Sequence, residues 1–287
     1  MVLQLIANGI ISACTYALIA FGFGLIYNAT RVFHFAHGAI CTLSVYVFFT
    51  CFTTLELPIL FAFIVALIIA SIAGVLTDTL VYWPLYLKQS SLLVLMISSL
   101  GLNSIIINFI ALVYGNETKT LISGLQPTYT LGSIVLSEIQ IIIAISSIIF
   151  ITLLFILFTK TNLGKLIRAM RDDIVLLSGI GINPRIIRII VFIIGSSISS
   201  LATILVGLDF GIEPNISNPL LLKGAIAVII GGLDSFGGAV IGAIVLSLVE
   251  TLSLCFFPAK WSNTVVFIVL ILFLLIRSRE DIKSLVS

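Results

Sequence analysis

The segment at residues 139–159, IQIIIAISSIIFITLLFILFT, is an apolar run of 21 residues without Asp, Glu, Lys or Arg. A helix that crosses a hydrocarbon core of about 30 Å needs about 20 such residues, so this run predicts a membrane span. Similar charge-free runs occupy residues 1–30, 32–55, 57–77, 89–116 and 189–208. Hydrophobic residues make up 60% of the 287-residue chain and charged residues only 9%, which excludes a soluble enzyme or a nucleic-acid binder.

The apolar runs predict nine spans, at roughly 3–27, 36–55, 57–81, 91–114, 139–158, 188–208, 219–233, 237–257 and 262–277. The run at 219–233 is short for a crossing and is bordered by Pro219 and Gly231-Gly232, so a re-entrant helix is an alternative there. The predicted fold class is all-α, a polytopic integral membrane protein of eight to nine transmembrane helices in one domain, 1–287. Residues 1–30 lack the basic start of a signal peptide and are expected to stay as a span.

The distribution of Lys and Arg predicts the orientation, because cytoplasmic loops are enriched in basic residues. Of the 14 basic residues, alternate loops place 11 on one side and only Lys119, Lys223 and Lys260 on the other. The first side is therefore predicted to be cytoplasmic, with the N-terminus outside and the C-terminus inside. This arrangement requires an odd number of crossings.

The segment 160–188 carries six of the basic residues and a helical apolar stripe. The stripe consists of Leu163, Leu166, Ile167, Met170, Ile174 and Leu177. We expect one short amphipathic helix, capped by Thr161 and ended by Gly179 or Gly181, with Asn183-Pro184 preventing its continuation. Its periodicity fits an interfacial helix that faces lipid headgroups, or a docking element for a cytoplasmic partner.

Few polar groups lie deep in the predicted spans. Asp78 and Asp209 lie near span ends, where we expect water to reach them, and Glu250 could face either a cavity or the interface. His34 and His37 are interpreted as hydrogen-bonded residues at a helix start, because no further metal ligands lie near them. The glycine-rich stretch 231–238 and the Gly238/Gly242 pair suit close helix packing or a hinge. The four cysteines are read as small apolar residues.

Motifs for energy-coupled or metal chemistry are missing from the sequence. No G-x-x-x-x-G-K-[ST] loop, H-E-x-x-H motif or G-x-S-x-G motif occurs. The chain is therefore not expected to be an enzyme or to bind a metal, a cofactor or a nucleotide. The combination of many spans, one basic cytoplasmic segment and no energy source indicates a pore-forming subunit driven by another chain.

Several motifs in order resemble the inner-membrane permeases of ABC importers for branched-chain amino acids. The first two are Tyr16-Ala-Leu-Ile-Ala-Phe-Gly22 and Phe35-Ala36-His37-Gly38. Next come Tyr82-Trp83-Pro84-Leu85 and the run from Leu95 to Asn103 that contains Gly101. The cytoplasmic motif comprises Thr161, Gly164, Arg168, Ala169, Asp172 or Asp173, Gly179, Ile182 and Asn183. The last is Gly231-Gly232-Leu-Asp-Ser-x-x-Gly238-Ala-x-x-Gly242, with Glu250 beyond it. His34, Trp83 and Asp234 depart from the family pattern.

The resemblance implies a multi-pass subunit of a bacterial inner membrane. It implies two cytoplasmic ATPases that bind the ATP, a second homologous permease and an extracytoplasmic binding protein as partners, beside membrane lipid and without nucleic acid. It favours docking of residues 160–187 to an ATPase. The substrates would be Leu, Ile and Val; urea, short amides or another small solute are alternatives within the family, and a self-sufficient secondary transporter is an alternative outside it. Polar residues that lie deep in the predicted spans are candidates for a substrate path, namely Ser98, Ser99, Asn103, Ser196, Ser197 and Ser199.

Overall fold

A computed structural model describes residues 2–122, 127–233 and 235–286 of the chain, and the side chains within these ranges except 131 and 277–286. Eight helical segments there are long and apolar enough to cross a membrane, and Ser217–Gly231 is a shorter apolar helix. The predicted all-α membrane architecture is confirmed. The helices are α1 (Val2–Thr30), α2 (Ala36–Phe49), α3 (Ile59–Thr77), α4 (Trp83–Leu87), α5 (Leu92–Tyr114), α6 (Glu138–Lys160), α7 (Asn162–Asp172), α8 (Ile174–Gly179), α9 (Pro184–Phe210), α10 (Ser217–Gly231), α11 (Phe236–Ser253) and α12 (Ser262–Val286).

A small hairpin, β1 (Thr128–Leu131) and β2 (Ile134–Ser137), joins α5 to α6 and was not predicted from the sequence. The side chain of Gln4 bonds the backbone of Val135 in both directions, at 2.9 and 2.7 Å. The hairpin therefore lies at the N-terminal end of α1, which we call the hairpin end of the bundle. The opposite end carries α7 and α8 and is called the α7–α8 end.

The first helix is the central element and packs against α6, α7, α9, α10 and α11. It has no charged side chain, and its second half is almost wholly buried, from Thr15 to Ile26. In contrast α3, α5, α6 and α12 expose most of their length and form the apolar outer surface. Apolar side chains that face lipid cost nothing, so the exposed leucines and isoleucines are compatible with a stable fold.

Helix α10 completes a crossing although it is too short to do so alone. At about 1.5 Å per residue its 15 residues span about 22 Å, less than the hydrocarbon thickness. Gly224 lies against Ile19 and Ala20, and Gly24 lies against Val228, so α10 runs parallel to α1 and begins about halfway along it. Helix α9 ends at the hairpin end, where Ile212 pairs with Lys119. The non-helical residues 211–216 therefore cover the first half of the crossing and α10 covers the second.

The return through α11 is antiparallel to α1. Asn28 donates to the Leu233 carbonyl at 2.6 Å near the α7–α8 end, and Ser247 donates to the Gly9 carbonyl at 2.6 Å toward the other. A Cβ on Gly231 would lie 2.0 Å from the Gly238 carbonyl oxygen, and one on Gly242 would lie 2.1 Å from that of Ala227. Of the two interpretations of the glycine-rich stretch, the structure favours close helix packing. Asp234 lies outside the described residues.

A wide helical turn at Asp78–Tyr82 separates α3 from α4. Pro84 follows it at the start of α4, where its missing N–H removes a backbone bond and favours such a distortion. The turn rotates Asp78 and Tyr82 inward, and both are fully buried. The expectation that water reaches Asp78 is therefore wrong.

Candidate functional site

The segment after α6 forms two helices rather than the single one expected. Asp173 adopts an extended conformation, ends α7, and accepts hydrogen bonds from the backbone N–H groups of Val175 and Leu176 at 2.8 and 2.9 Å. The Asp173 side chain is thus the N-cap of α8, a role that the apolar periodicity of the segment concealed. Thr161 does not cap α7 as predicted, because its hydroxyl donates back to the Leu157 carbonyl.

The turn between α6 and α7 is held tightly. A Cβ on Gly164 would lie 1.9 Å from the Phe158 carbonyl oxygen, so only glycine fits there without movement. The same oxygen accepts a hydrogen bond from Nη1 of Arg168 at 2.8 Å. A carbonyl at a helix C-terminus is otherwise without an intrahelical partner, so Arg168 stabilises this turn. The helix α7 is thereby fixed to the end of α6.

The predicted apolar stripe faces inward, since Ile167, Met170 and Leu177 are buried. On the outer face, Ala169, Asp172 and Asp173 are exposed, and so are three large apolar side chains that the sequence interpretation did not single out. Val175 is 75% exposed, Leu176 66% and Ile180 67%. We call Ala169, Asp172, Val175, Leu176 and Ile180 the α7–α8 surface. At the end of the segment Gly179 ends α8, Ile182 is half-buried, and Asn183 caps α9 by accepting from the Arg185 N–H at 3.0 Å.

Most serines nominated for a substrate path lie at packed helix contacts instead. Ser196 and Ser199 are fully buried, and Cβ atoms on the opposing Gly74 and Gly22 would lie 2.3 and 2.2 Å from their Oγ atoms. Ser197 bonds Ser71 at 2.7 Å, and Ser98 donates to the carbonyl of Val94 on its own helix at 2.8 Å. Ser196, Ser197 and Ser199 thus lie where helices approach closely, which is a common use of small residues in membranes, whereas Ser98 bonds only its own helix.

The two histidines and Ser99 belong to a buried polar network around the start of α2. Nδ1 of His34 lies 2.7 Å from the Tyr82 hydroxyl, which donates to Ser99 at 2.8 Å. Ser99 also accepts from the backbone N–H of Ala36 at 2.9 Å, and Nε2 of His37 lies 2.8 Å from Oγ of Ser199. Each histidine therefore has a hydrogen-bond partner, as expected. No group of three or more candidate metal ligands occurs among the described residues.

Among the residues that the structure describes, two ion pairs are buried in the bundle, and the sequence interpretation identified neither. Near the α7–α8 end, Arg188 binds Asp78 through Nε and Nη2, with side chains only 2% and 1% exposed. The guanidinium also lies 5.7 Å from the ring centres of both Trp83 and Tyr86. A basic residue counted as a loop cation is thus a buried structural group.

The second pair lies at the level of Tyr16, near the middle of α1, and joins α10 to α11. Nζ of Lys223 lies 2.6 Å from Oε1 of Glu250, and their side chains are 14% and 11% exposed. Tyr16 on α1 accepts from Lys223 at 2.9 Å and donates to Glu250 at 3.0 Å, and Ser262 donates to the same carboxylate. The Glu250 carboxylate is thus buried among polar side chains of α1, α10 and α12 and does not reach the interface.

A largely apolar cavity of about 480 Å³ lies between α1, α5 and α10. Phe23, Phe33 and Phe35 form one wall, and the amides of Asn103 and Asn218 add polar groups. Oδ1 of Asn103 is buried without a hydrogen-bond partner in the protein. Asn103 is thus one of the predicted path residues that does face a cavity.

The family described as "Branched-chain amino acid transport system / permease component" matches residues 5–274. The chain belongs to this permease family.

Several curated relatives agree over nearly the whole chain. The permease is 29% identical to the high-affinity branched-chain amino acid transport system permease protein BraD of Pseudomonas aeruginosa, over 96% of this chain and 94% of the relative. It is 30% identical to LivH of Salmonella typhimurium, over 96% and 93%. It also resembles the galactofuranose transporter permease protein YtfT of Escherichia coli, at 29% identity over 53% of this chain and 46% of the relative.

A solved structure supports the same fold at low sequence identity. A chain of PsaBC from Streptococcus pneumoniae in complex with Fab superposes with a TM-score of 0.54 at 12% identity, covering 94% of the permease and 89% of that chain. At this identity the likeness concerns the fold alone.

The remaining motif residues of the permease are either buried at helix contacts, required by the backbone conformation, or exposed. Tyr16, Ala36, His37, Gly38 and Glu250 are buried at helix contacts. Gly232 has a positive φ of 95° at the end of α10, a conformation that favours glycine. Gly101 differs from these, because it is exposed and a Cβ there would meet no atom within 4 Å.

Proposed function

We propose that this chain is the membrane subunit of an ABC importer that carries Leu, Ile and Val into a bacterial cell. In this proposal a second homologous permease lies beside it, an extracytoplasmic binding protein delivers the substrate at the hairpin end, and two ATPases bind all of the ATP and dock at the α7–α8 end. Family membership and the names of the relatives support the transport role and the substrates.

The observation that carries the coupling part of the proposal is the α7–α8 surface. Three large apolar side chains are exposed on a segment whose inner face is buried and whose start is fixed to α6 by Gly164 and Arg168. Exposed apolar patches bordered by charged groups are typical of protein interfaces. A rigidly attached patch can also transmit a displacement of the partner to α6 and α9.

The test replaces Leu176 by Glu and measures how much ATPase subunit co-purifies with the permease and how fast the importer takes up leucine. Val135→Glu is the matched control, because Val135 is also exposed but lies on the hairpin at the opposite end. We expect Leu176→Glu to lower both ATPase recovery and uptake while Val135→Glu leaves ATPase recovery unchanged. Full ATPase recovery with Leu176→Glu would refute docking at this surface.

The orientation in the membrane belongs to the same proposal. Removing the buried Arg188 and Lys223 from the count of loop cations leaves ten basic residues toward the α7–α8 end and two toward the hairpin end. This asymmetry supports an α7–α8 end in the cytoplasm. A membrane-impermeant maleimide should label Thr130→Cys in intact cells and label Ala169→Cys only after the cells are opened. The reverse pattern would refute the orientation.

A further inference from the structure

Two neighbouring cavities lie along α10 and differ in chemistry. The larger, of about 480 Å³, is walled mainly by Phe and aliphatic side chains. The smaller, of about 340 Å³, is lined by Asn215, Asn218, Lys223 and Asn263 together with Pro219 and apolar residues of α10 and α12. Asn218 and Leu222 line both, so the two cavities adjoin across one turn of α10.

The smaller cavity contains a cation that is partly desolvated. Lys223 is half-buried, and its ammonium contacts the Glu250 carboxylate and the Tyr16 hydroxyl while its stem lines the cavity. In a membrane interior a charged side chain is costly, and such residues commonly mark the route of a solute. The low local dielectric also strengthens any contact that the ammonium makes with an anion.

The hydrogen bonds around Glu250 allow Lys223 to change partner. Glu250 accepts from Tyr16 through Oε2 and from Ser262 through Oε1, so two hydroxyl donors remain when the ammonium moves away. The ion pair is also the link between α10 and α11 at this level, which gives it an alternative, purely structural reading.

The two cavities together complement an amino acid with an aliphatic side chain. A carboxylate requires a cation and N–H donors, which Lys223 and the side-chain amides of Asn215, Asn218 and Asn263 can supply. An ammonium requires a carboxylate; Glu250 lies outside the lining of both cavities, directly behind Lys223 at 2.6 Å from its ammonium, and can be reached once Lys223 moves away. An aliphatic side chain requires a dry apolar wall, and a volume of about 480 Å³ falls within the range of small-molecule sites. A zwitterion leaves the site electrically balanced, whereas a lone amine or acid does not.

We propose that the adjoining cavities form the site through which the permease passes its amino acid, with Lys223 and Glu250 receiving the two charged groups and the Phe23–Phe33–Phe35 wall receiving the side chain. This inference rests on the proposed transport function and names the residues that recognise the substrate. The solute displaces the ammonium of Lys223 from Glu250 and inserts its own opposite charges between them. No covalent step is involved.

The test measures uptake of radiolabelled leucine and valine by the whole importer in proteoliposomes. The main variant is Lys223→Gln combined with Glu250→Gln, which removes both charges without leaving either one buried alone. Lys223→Arg keeps the cation, and Lys260→Gln is the matched control, since Lys260 is exposed just before α12. The amount of assembled complex recovered after purification serves as the measure of folding.

We expect the double glutamine variant to assemble but to take up leucine about tenfold more slowly, the size of a lost charge-assisted contact. Lys223→Arg should retain most of the uptake and Lys260→Gln all of it. Assembled double variant that transports at the rate of the unchanged protein would overturn the proposal and leave the pair a structural link. Absence of ATP-driven leucine uptake in the unchanged importer would instead refute the proposed function.

A second variant tests the apolar cavity and does not depend on the ion pair. Ala225 lines this cavity and is almost buried, so Ala225→Leu reduces its volume without adding charge. We expect the ratio of valine to leucine uptake to rise, because valine is one methylene smaller and one methylene is worth about tenfold or more in a tight pocket. An unchanged ratio in an assembled complex would contradict the assignment of this cavity to the side chain.

Discussion

The two buried ion pairs of this permease differ in how completely they are enclosed. Asp78 and Arg188 are 1–2% exposed and form a two-point contact that is flanked by two aromatic rings. Lys223 and Glu250 are 14% and 11% exposed, Lys223 borders a cavity, and Glu250 accepts hydrogen bonds from the hydroxyls of Tyr16 and Ser262. Arg188 also lines a cavity, of about 770 Å³, but its guanidinium is held at two points and is almost fully buried, so this sealed pair has little access to another partner. The less enclosed ammonium of Lys223 can exchange one partner for another. We infer that the first pair holds the fold and that the second is available for function.

The strongest test of this contrast removes one partner of the sealed pair. Arg188→Met leaves the Asp78 carboxylate buried without a counter-charge, which should cost about 3–5 kcal/mol of stability. The melting temperature of the purified permease and its yield should both fall steeply. The double variant Asp78→Asn with Arg188→Gln removes the lone charge and should recover much of the loss. A melting temperature unchanged by Arg188→Met would show that this pair does not hold the fold.

The turn at Gly164 gives the next largest effect, because it attaches the α7–α8 surface to α6. Any Cβ at Gly164 collides with the Phe158 carbonyl, so Gly164→Ala should shift the turn and cost about 1–3 kcal/mol. Thermal denaturation measures that loss, and co-purification of the ATPase measures the displacement of the surface. Gly179→Ala is the control in the same segment, since a Cβ there meets no atom within 4 Å. Equal behaviour of the two variants would refute the steric argument.

Exchanging the positions of the two charged residues within each ion pair is a milder test of the difference between the pairs. Lys223→Glu with Glu250→Lys keeps two opposite charges at this level and should lower the melting temperature less than the same exchange in the first pair, because the second pair is less completely enclosed. The corresponding exchange of Asp78 and Arg188 places a guanidinium on the wrong helix, away from Trp83 and Tyr86, and should prevent folding. Comparable melting temperatures for the two exchanged proteins would remove the distinction between the pairs.

The sequence predicted the spans well because lipid requires long apolar runs, and such runs are visible without any tertiary information. It also predicted the inward stripe of the cytoplasmic segment, whose period is that of a helix. It missed the break at Asp173, because an N-cap within an apolar period leaves the periodicity intact. It counted Arg188 and Lys223 as loop cations, because the sequence around a basic residue near a span end does not show whether its partner is water or a distant carboxylate. The carboxylate is 110 residues away for Arg188 and 27 residues away for Lys223.

The candidate site was harder to predict than the fold for a related reason. Serines at depth were taken as path residues, yet a small polar side chain serves equally where two helices approach closely, as Ser199 does against Gly22. The two roles of a serine are distinguished by the residue that lies opposite it on the neighbouring helix. Only the folded structure shows which residue that is. The polarity of Asn103 made it a candidate from the sequence, whereas Lys223 becomes one only in the structure, where the cavity that it lines adjoins the cavity of Asn103 along α10.

The smallest expected effect concerns Gly101, a motif glycine on the exposed part of α5. No atom lies within 4 Å of a Cβ at this position, unlike at Gly164. Gly101→Ala should therefore raise the melting temperature slightly, since alanine is favoured over glycine inside a helix by about 0.5–1 kcal/mol. If the isolated permease is stabilised while assembly of the importer is impaired, the free space at Gly101 is filled by a partner subunit. If both stability and assembly improve, this face of α5 meets lipid alone, and the motif glycine has no packing role in this chain.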